Sequence, residues 1–147
     1  MTGTVLVTGA AGFVGSHFAR VAHDAGLSVL ALDDLSTSNG WPKLPETIER
    51  VVGDVAYRAL VAKLVTGRAV NAIVHFAGRI RVEESMREPA LYFEQNLTKT
   101  IALLDAATQA RSSRPLSFVM SSSAAVYGQA ERSPIVELAP LRPINPY

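Results

Sequence analysis

The segment Thr8-Gly9-Ala10-Ala11-Gly12-Phe13-Val14-Gly15 constrains this chain more than any other. It stands between a continuous β-branched run, Thr4 to Thr8, and an amphipathic run, Phe13 to Ala25. In the second run Phe13, Val14, Phe18, Val21 and Ala22 fall at helical spacing, and Gly26 is a fitting C-terminal stop. Glycines set between a buried strand and a helix permit a tight turn. They also let the backbone approach a pyrophosphate and let helix and strand pack closely. The helix N-terminus then offers free N–H groups and a partial positive charge to phosphate oxygens. The spacing is Gly-x-x-Gly-x-x-Gly rather than Gly-x-Gly-x-x-Gly, so the flanking elements carry the reading as much as the glycines do. Gly9, Gly12, Phe13, Val14 and Gly15 are therefore candidate residues for a dinucleotide.

The rest of the chain repeats the alternation. Ser28 to Leu32 reads as a second buried strand, and Asp33 to Pro45 as a polar loop rich in proline and glycine. Ile48 to Val52 is a third strand, ended by Gly53-Asp54, and Ala59 to Val65 a helix. Ala72 to Phe76 is a fourth strand and Leu116 to Met120 a fifth. Pro89 fits the first turn of a long helix through Ala110, with Leu91, Phe93, Leu97, Ile101 and Leu104 on its inner side. After the fifth strand the chain is irregular, with four prolines from Pro134 onward. Strands alternating with helices imply an α/β fold: a Rossmann-type, doubly wound parallel sheet with helices on both faces. The 147 residues, 48% of them hydrophobic, suit a single domain spanning 1–147.

Several classes are disfavoured. Net charge is +1 and the basic residues form no run, so no field draws nucleic acid or a membrane surface. There is no cysteine, which removes disulfides and thiolate metal sites and points to an intracellular, cytoplasmic protein; no metal site is expected. The opening MTGTVLVTGAAGF lacks a basic n-region and runs at once into a glycine-rich turn, so it does not read as a signal peptide, and no apolar stretch has the length of a membrane span.

Asp33 ends the second strand close to the ~20-residue offset at which a carboxylate meets the adenosine ribose. It would accept from both ribose hydroxyls and repel a 2′-phosphate, which favours NAD over NADP. Asp34 beside it shares that role or caps the loop. Asp54 fits two roles, holding the adenine amino group or capping the following helix. Ser121, Ser122 and Ser123 close a strand, where serines also satisfy local backbone groups. His75 lies in an apolar strand and reads as a satisfied core histidine. Tyr127 reads as a packing residue, and Arg79 and Arg81 as solvated loop charges within reach of a phosphate.

TGAAGFVG, GDV at 53–55, HFAG at 75–78, SSSAAVYG at 121–128 and PY at 146–147 together resemble the extended short-chain dehydrogenases acting on nucleotide sugars. Within them HFAG, VEES at 82–85, and SSSA followed by VYG are most similar to the UDP-glucose (UDP-galactose) 4-epimerases. Ala124 and Ala125 stand where 4,6-dehydratases carry an acidic pair. The resemblance implies bound NAD, a UDP-sugar substrate, and inversion at C4 through a 4-keto sugar. It implies Tyr147 as the base that takes the 4-hydroxyl proton and Ser123 as its hydrogen-bonding aid. Ala124 and Ala125 would lie beside the sugar. Val55, Phe76, Ala77, Gly78, Asn96 and Ser121 would join the cofactor set.

It also implies a homodimer through helix pairs. One helix would be Pro89 to Ala110, with Thr98, Ala102 and Ala106 on its outer side. Three departures stand out. The family's lysine four positions after the tyrosine falls beyond Tyr147, Ile80 stands where many epimerases have a basic residue, and Gln95-Asn96 replaces a pair of asparagines. The expectation is an N-terminal portion truncated before its substrate domain, an inactive cofactor-binding fragment of an epimerase. The alternatives are a catalytically silent NAD-binding module, or another extended short-chain dehydrogenase such as a nucleotide-sugar dehydratase or decarboxylase.

Overall fold

The computed structural model describes residues 3–111, 115–130 and 132–147. Its strands are β1 (Thr4–Thr8), β2 (Ser28–Asp33), β3 (Glu49–Val52), β4 (Val70–His75) and β5 (Ser117–Met120). All pairings are parallel, and the strands lie in the order β3-β2-β1-β4-β5. The expected fold is therefore present, with strand limits shifted by at most two residues. Register brings Thr8 beside Leu32 and His75, and His75 beside Met120, so the strands' carboxyl ends share one rim. Chain direction through the sheet reverses between β1 and β4. A crevice opens outside the strand ends at such a switch point.

Strand alternation divides the core between the sheet's faces. Val5 and Val7 of β1 pack with Val29, Ala31, Ala19 and Ala22 on the face covered by α1 (Phe13–Asp24). Leu6 points the other way, to Leu30, Val61, Val65 and Leu103 from α2 (Arg58–Gly67) and α5 (Lys99–Ala110). A sheet covered on both faces needs continuous apolar runs, and each such leucine contributes roughly 1.5–3 kcal/mol on burial.

The helices correct two expectations. The buried face of α1 is Gly15, Ser16, Ala19 and Ala22, whereas Phe13, Val14 and Val21 are exposed. Small residues let the helix sit close to the strands, and the large ones turn outward. A short helix, α3 (Val82–Arg87), precedes the expected long helix, which runs from Pro89 to Ala110 as α4 (Pro89–Tyr92), a π-helical turn (Phe93–Thr98) and α5. Its buried residues are Tyr92, Thr100, Leu103, Ala106 and Ala107. Phe93, Leu97 and Ile101, expected inside, are more than half exposed, and Ala106, expected outside, is buried. The apolar stripe lies one residue round the helix from the stripe that faces the sheet, and that inner stripe is partly polar.

Candidate functional site

The glycine turn is shaped by contacts that forbid side chains. Gly9 has φ +68°, and a Cβ there would meet the Ala77 nitrogen and the Phe76 carbonyl carbon at 2.6 Å. A Cβ on Gly15 would lie 2.2 Å from the Gly9 carbonyl oxygen. The turn closes with the Gly12 amide donating to Gly9 O at 3.1 Å and the Ser16 amide to Gly12 O at 3.0 Å. The first-turn amides of α1, from Phe13 to Gly15, have no intrahelical acceptor and face the crevice end of the helix. That arrangement fits an anion, and the absent Cβ atoms leave room for a diphosphate against the backbone.

A cleft runs outward from this turn. Gly9, Gly12, Asp33, Asp34, Asp54, Val55, Phe76, Ala77 and Gly78 line it. Asp33 is fixed at the end of β2, where Oδ2 accepts from the Ala11 amide at 2.9 Å and Oδ1 from the Leu35 amide at 2.8 Å. The second bond holds Leu35 in a left-handed conformation, φ 59°. Each carboxylate oxygen keeps a further lone pair, and Asp33 lines the cleft. Asp34 Oδ1 accepts from both the amide and the hydroxyl of Ser36, so this side chain caps the loop.

Asp54 does more than expected. Its Oδ1 accepts from the Ala56 amide at 2.8 Å, and its Oδ2 from Lys99 Nζ at 2.5 Å. Burial raises the Asp54 pKa, but the Lys99 and Ala56 hydrogen bonds more than offset this, and it lies below its usual value. Lys99, Gln95 and Arg79 also line the cleft, and sequence reading singled out neither Lys99 nor Gln95 as cleft residues. Lys99 lies on a helix far along the chain from Asp54, and no local pattern announces the pair.

A second cleft of about 370 Å³ adjoins the first. Asn96, Ser121, Ser123, Ala125 and Tyr147 line it, with Phe76, Ala77, Gly78 and Arg79 common to both. Ser123 Oγ accepts from the Ala125 amide at 3.1 Å and caps a 3₁₀ turn, Ala124–Tyr127. The Tyr147 ring meets Tyr92 edge-on, centroids 6.5 Å apart. Tyr92 is fully buried; its hydroxyl donates to Glu84 at 2.8 Å and accepts from the Arg81 amide at 2.9 Å. The Asn96 side chain grips one residue, accepting from the Arg79 amide at 2.8 Å and donating to the Arg79 carbonyl at 2.9 Å. Phe13, Val14, Gly15 and Ala124 line neither cleft. Phe13 turns its ring onto His17 instead.

Residues 5–147 match the NAD dependent epimerase/dehydratase family. This chain belongs to that family. It is 41% identical over 143 residues to the UDP-glucose 4-epimerase of Azospirillum brasilense, a match covering 97% of this chain and 40% of that protein. It is also 41% identical over 149 residues to the UDP-glucose 4-epimerase of Streptomyces lividans, covering 100% of this chain and 44% of that protein. The UDP-glucose 4-epimerase of Brucella ovis, solved in complex with NAD, superposes with a TM-score of 0.87 at 36% identity. That superposition covers 99% of this chain and 43% of the other. The chain thus spans about two fifths of the length of the relatives it matches. Within the epimerase/dehydratase chain no helix among the described residues is long and apolar enough to cross a membrane. No group of acidic and histidine side chains among them could hold a metal ion.

Proposed function

We propose that this chain is the NAD-binding domain of a UDP-sugar 4-epimerase. The observation that carries the reading is the shared floor, Phe76 to Arg79, on which the clefts join. A dinucleotide with its diphosphate over Gly9 and Gly12 and its adenosine ribose on Asp33 would cross that floor. Its far end would then meet Ser123 and Tyr147. The family description and the relatives' names support the same assignment.

NAD bound there supplies a hydride acceptor, and afterwards the donor, facing C4 of the sugar. Tyr147 takes the 4-hydroxyl proton and returns it. Ser123 offers its hydroxyl to the same oxygen while its own oxygen stays oriented by the Ala125 amide. Ala125, being small, leaves the ring room to turn over between hydride steps. Asp54 and Lys99 neutralise one another at the adenine end. The reading includes pairing with a second copy through the exposed stripe of the π-helical turn and α5. The chain by itself is expected to bind NAD without turning over UDP-galactose.

Isothermal titration of the purified chain tests the cofactor half. One NAD per chain, with NADP much weaker, is the expected result, and no binding of NAD would sink the reading. Incubation with UDP-galactose tests the rest: formation of UDP-glucose would show that the chain needs no further residues.

A further inference from the structure

One hydrogen-bonded cluster to which the mechanism gives no role runs beneath the shared floor, its His75 and Asn96 also lining the second cleft. His75, 2% exposed, sits at the end of β4. Its Nδ1 lies 2.6 Å from Thr8 Oγ1 and its Nε2 2.9 Å from Thr100 Oγ1. Thr100 Oγ1 donates to the Asn96 carbonyl at 2.7 Å. The Ala77 amide donates to Thr8 Oγ1 at 3.4 Å, the longest link.

Proton counting gives this chain a direction. A hydroxyl has one proton, and a carbonyl can only accept. Thr100 gives its proton to Asn96, so at His75 its oxygen accepts and Nε2 carries the hydrogen. Nδ1 is then a bare lone pair, and Thr8 must donate to it. The Thr8 oxygen is left to receive the Ala77 amide. The order is Ala77 N–H to Thr8, Thr8 to His75, His75 to Thr100, Thr100 to Asn96. The Asn96 side chain then returns to both backbone groups of Arg79. The network therefore holds the floor of the clefts at Ala77 and at Arg79.

We infer that His75, as the neutral imidazole protonated at Nε2, is a positioning residue that sets the Phe76–Arg79 floor for the dinucleotide. The inference rests on the cofactor reading above. The Nδ1-protonated form would set a bare Nε2 lone pair against the Thr100 oxygen, whose proton is already given to Asn96, and the imidazolium would leave the Thr8 proton without its partner and bury a charge. Burial supports the neutral form by pushing the His75 pKa down to about 4. A packing role alone would need only a ring against Phe118, 5.8 Å away, and neither nitrogen partner. The π-helical turn is part of the device, since Asn96 lies in it and such turns gather at functional sites.

The test has separate arms. Nitrogen-15 NMR of the unsubstituted chain at pH 7 should show His75 protonated at Nε2 only; an Nδ1-protonated ring or an imidazolium overturns the inference. NAD titration then compares Thr100→Val, which removes the acceptor at nearly constant shape, with Thr100→Ser, which keeps it. Stranding a buried donor is expected to weaken NAD binding roughly tenfold in Thr100→Val and by less than about twofold in Thr100→Ser. Equal affinity in Thr100→Val and the unsubstituted chain overturns the inference and leaves the cofactor reading standing. Failure of the unsubstituted chain to bind NAD removes both.

Discussion

Burial fixes the charge of His75, and the charge fixes a pH window for stability. The folded pKa is near 4 against an ordinary 6.5, so the unfolded chain binds the extra proton between those values. Stability from this group is complete above pH 6.5 and is lost as pH falls toward 4. The shift corresponds to about 3 kcal/mol in all, at ~1.36 kcal/mol per pH unit. Glu49 and Glu84 also titrate low, Glu49 chiefly through its Arg68 hydrogen bond and Glu84 through Tyr92, but their stabilisation is lost only below their ordinary 4.5. Urea unfolding between pH 6.5 and 4.5 should therefore show a slope of nearly one proton, flattened in His75→Asn. A flat profile in the unsubstituted chain would contradict a neutral buried ring.

Asp33 makes a prediction of the same scale. Asp33→Asn keeps an oxygen for one of the Ala11 and Leu35 amides but removes the charge that repels a 2′-phosphate. Titration should find NAD weakened by roughly tenfold, as for loss of a charge-assisted hydrogen bond, with NADP weakened less. Asp33 as a cleft residue and His75 as a satisfied core histidine were legible in the sequence because both stand at strand ends. Lys99 was not, because its partner Asp54 lies across the fold rather than along a helix face.

At the scale of elements, the sequence exposed the strands better than the helix faces. β1, β2 and β4 are buried on both sides, and an uninterrupted apolar run has few other readings. The stretch from Pro89 misleads for a physical reason. Its inward stripe includes Asn96 and Thr100, polar side chains satisfied by Arg79 and His75, which a search for apolar spacing passes over. The apolar stripe beside it faces outward. Tyr92 belongs to the inner stripe, and its hydroxyl ties α3 to α4 through Glu84 and the Arg81 amide. Tyr92→Phe should cost about 1.5–3 kcal/mol, the range for a hydrogen bond to a charged group, read as a lowered urea midpoint with unchanged slope. The Glu84 pKa should rise in the same variant, since Tyr92 is the largest cause of its depression. An unchanged midpoint would mean that Arg79 alone holds Glu84.

For the whole molecule, burial of the sheet on both faces leaves an apolar stripe on the helix from Pro89 open to solvent. Phe93, Leu97 and Ile101 follow one another at four-residue steps and are 53%, 53% and 55% exposed. A helix that spends its largest apolar residues on solvent has not finished burying them. The helix behind them is already fixed by Leu103, Ala106 and Ala107 against the core, so it cannot roll to hide the stripe. Pairing with the same stripe on a second copy satisfies both constraints at once, since a two-fold interface needs one self-complementary patch. Size-exclusion with light scattering should then give a dimer of the 15.7 kDa chain. Leu97→Glu, which places like charges face to face at the centre of the patch, should give a monomer with an unchanged circular dichroism spectrum. A monomeric unsubstituted chain at high micromolar concentration would mean that something other than a second copy covers the stripe.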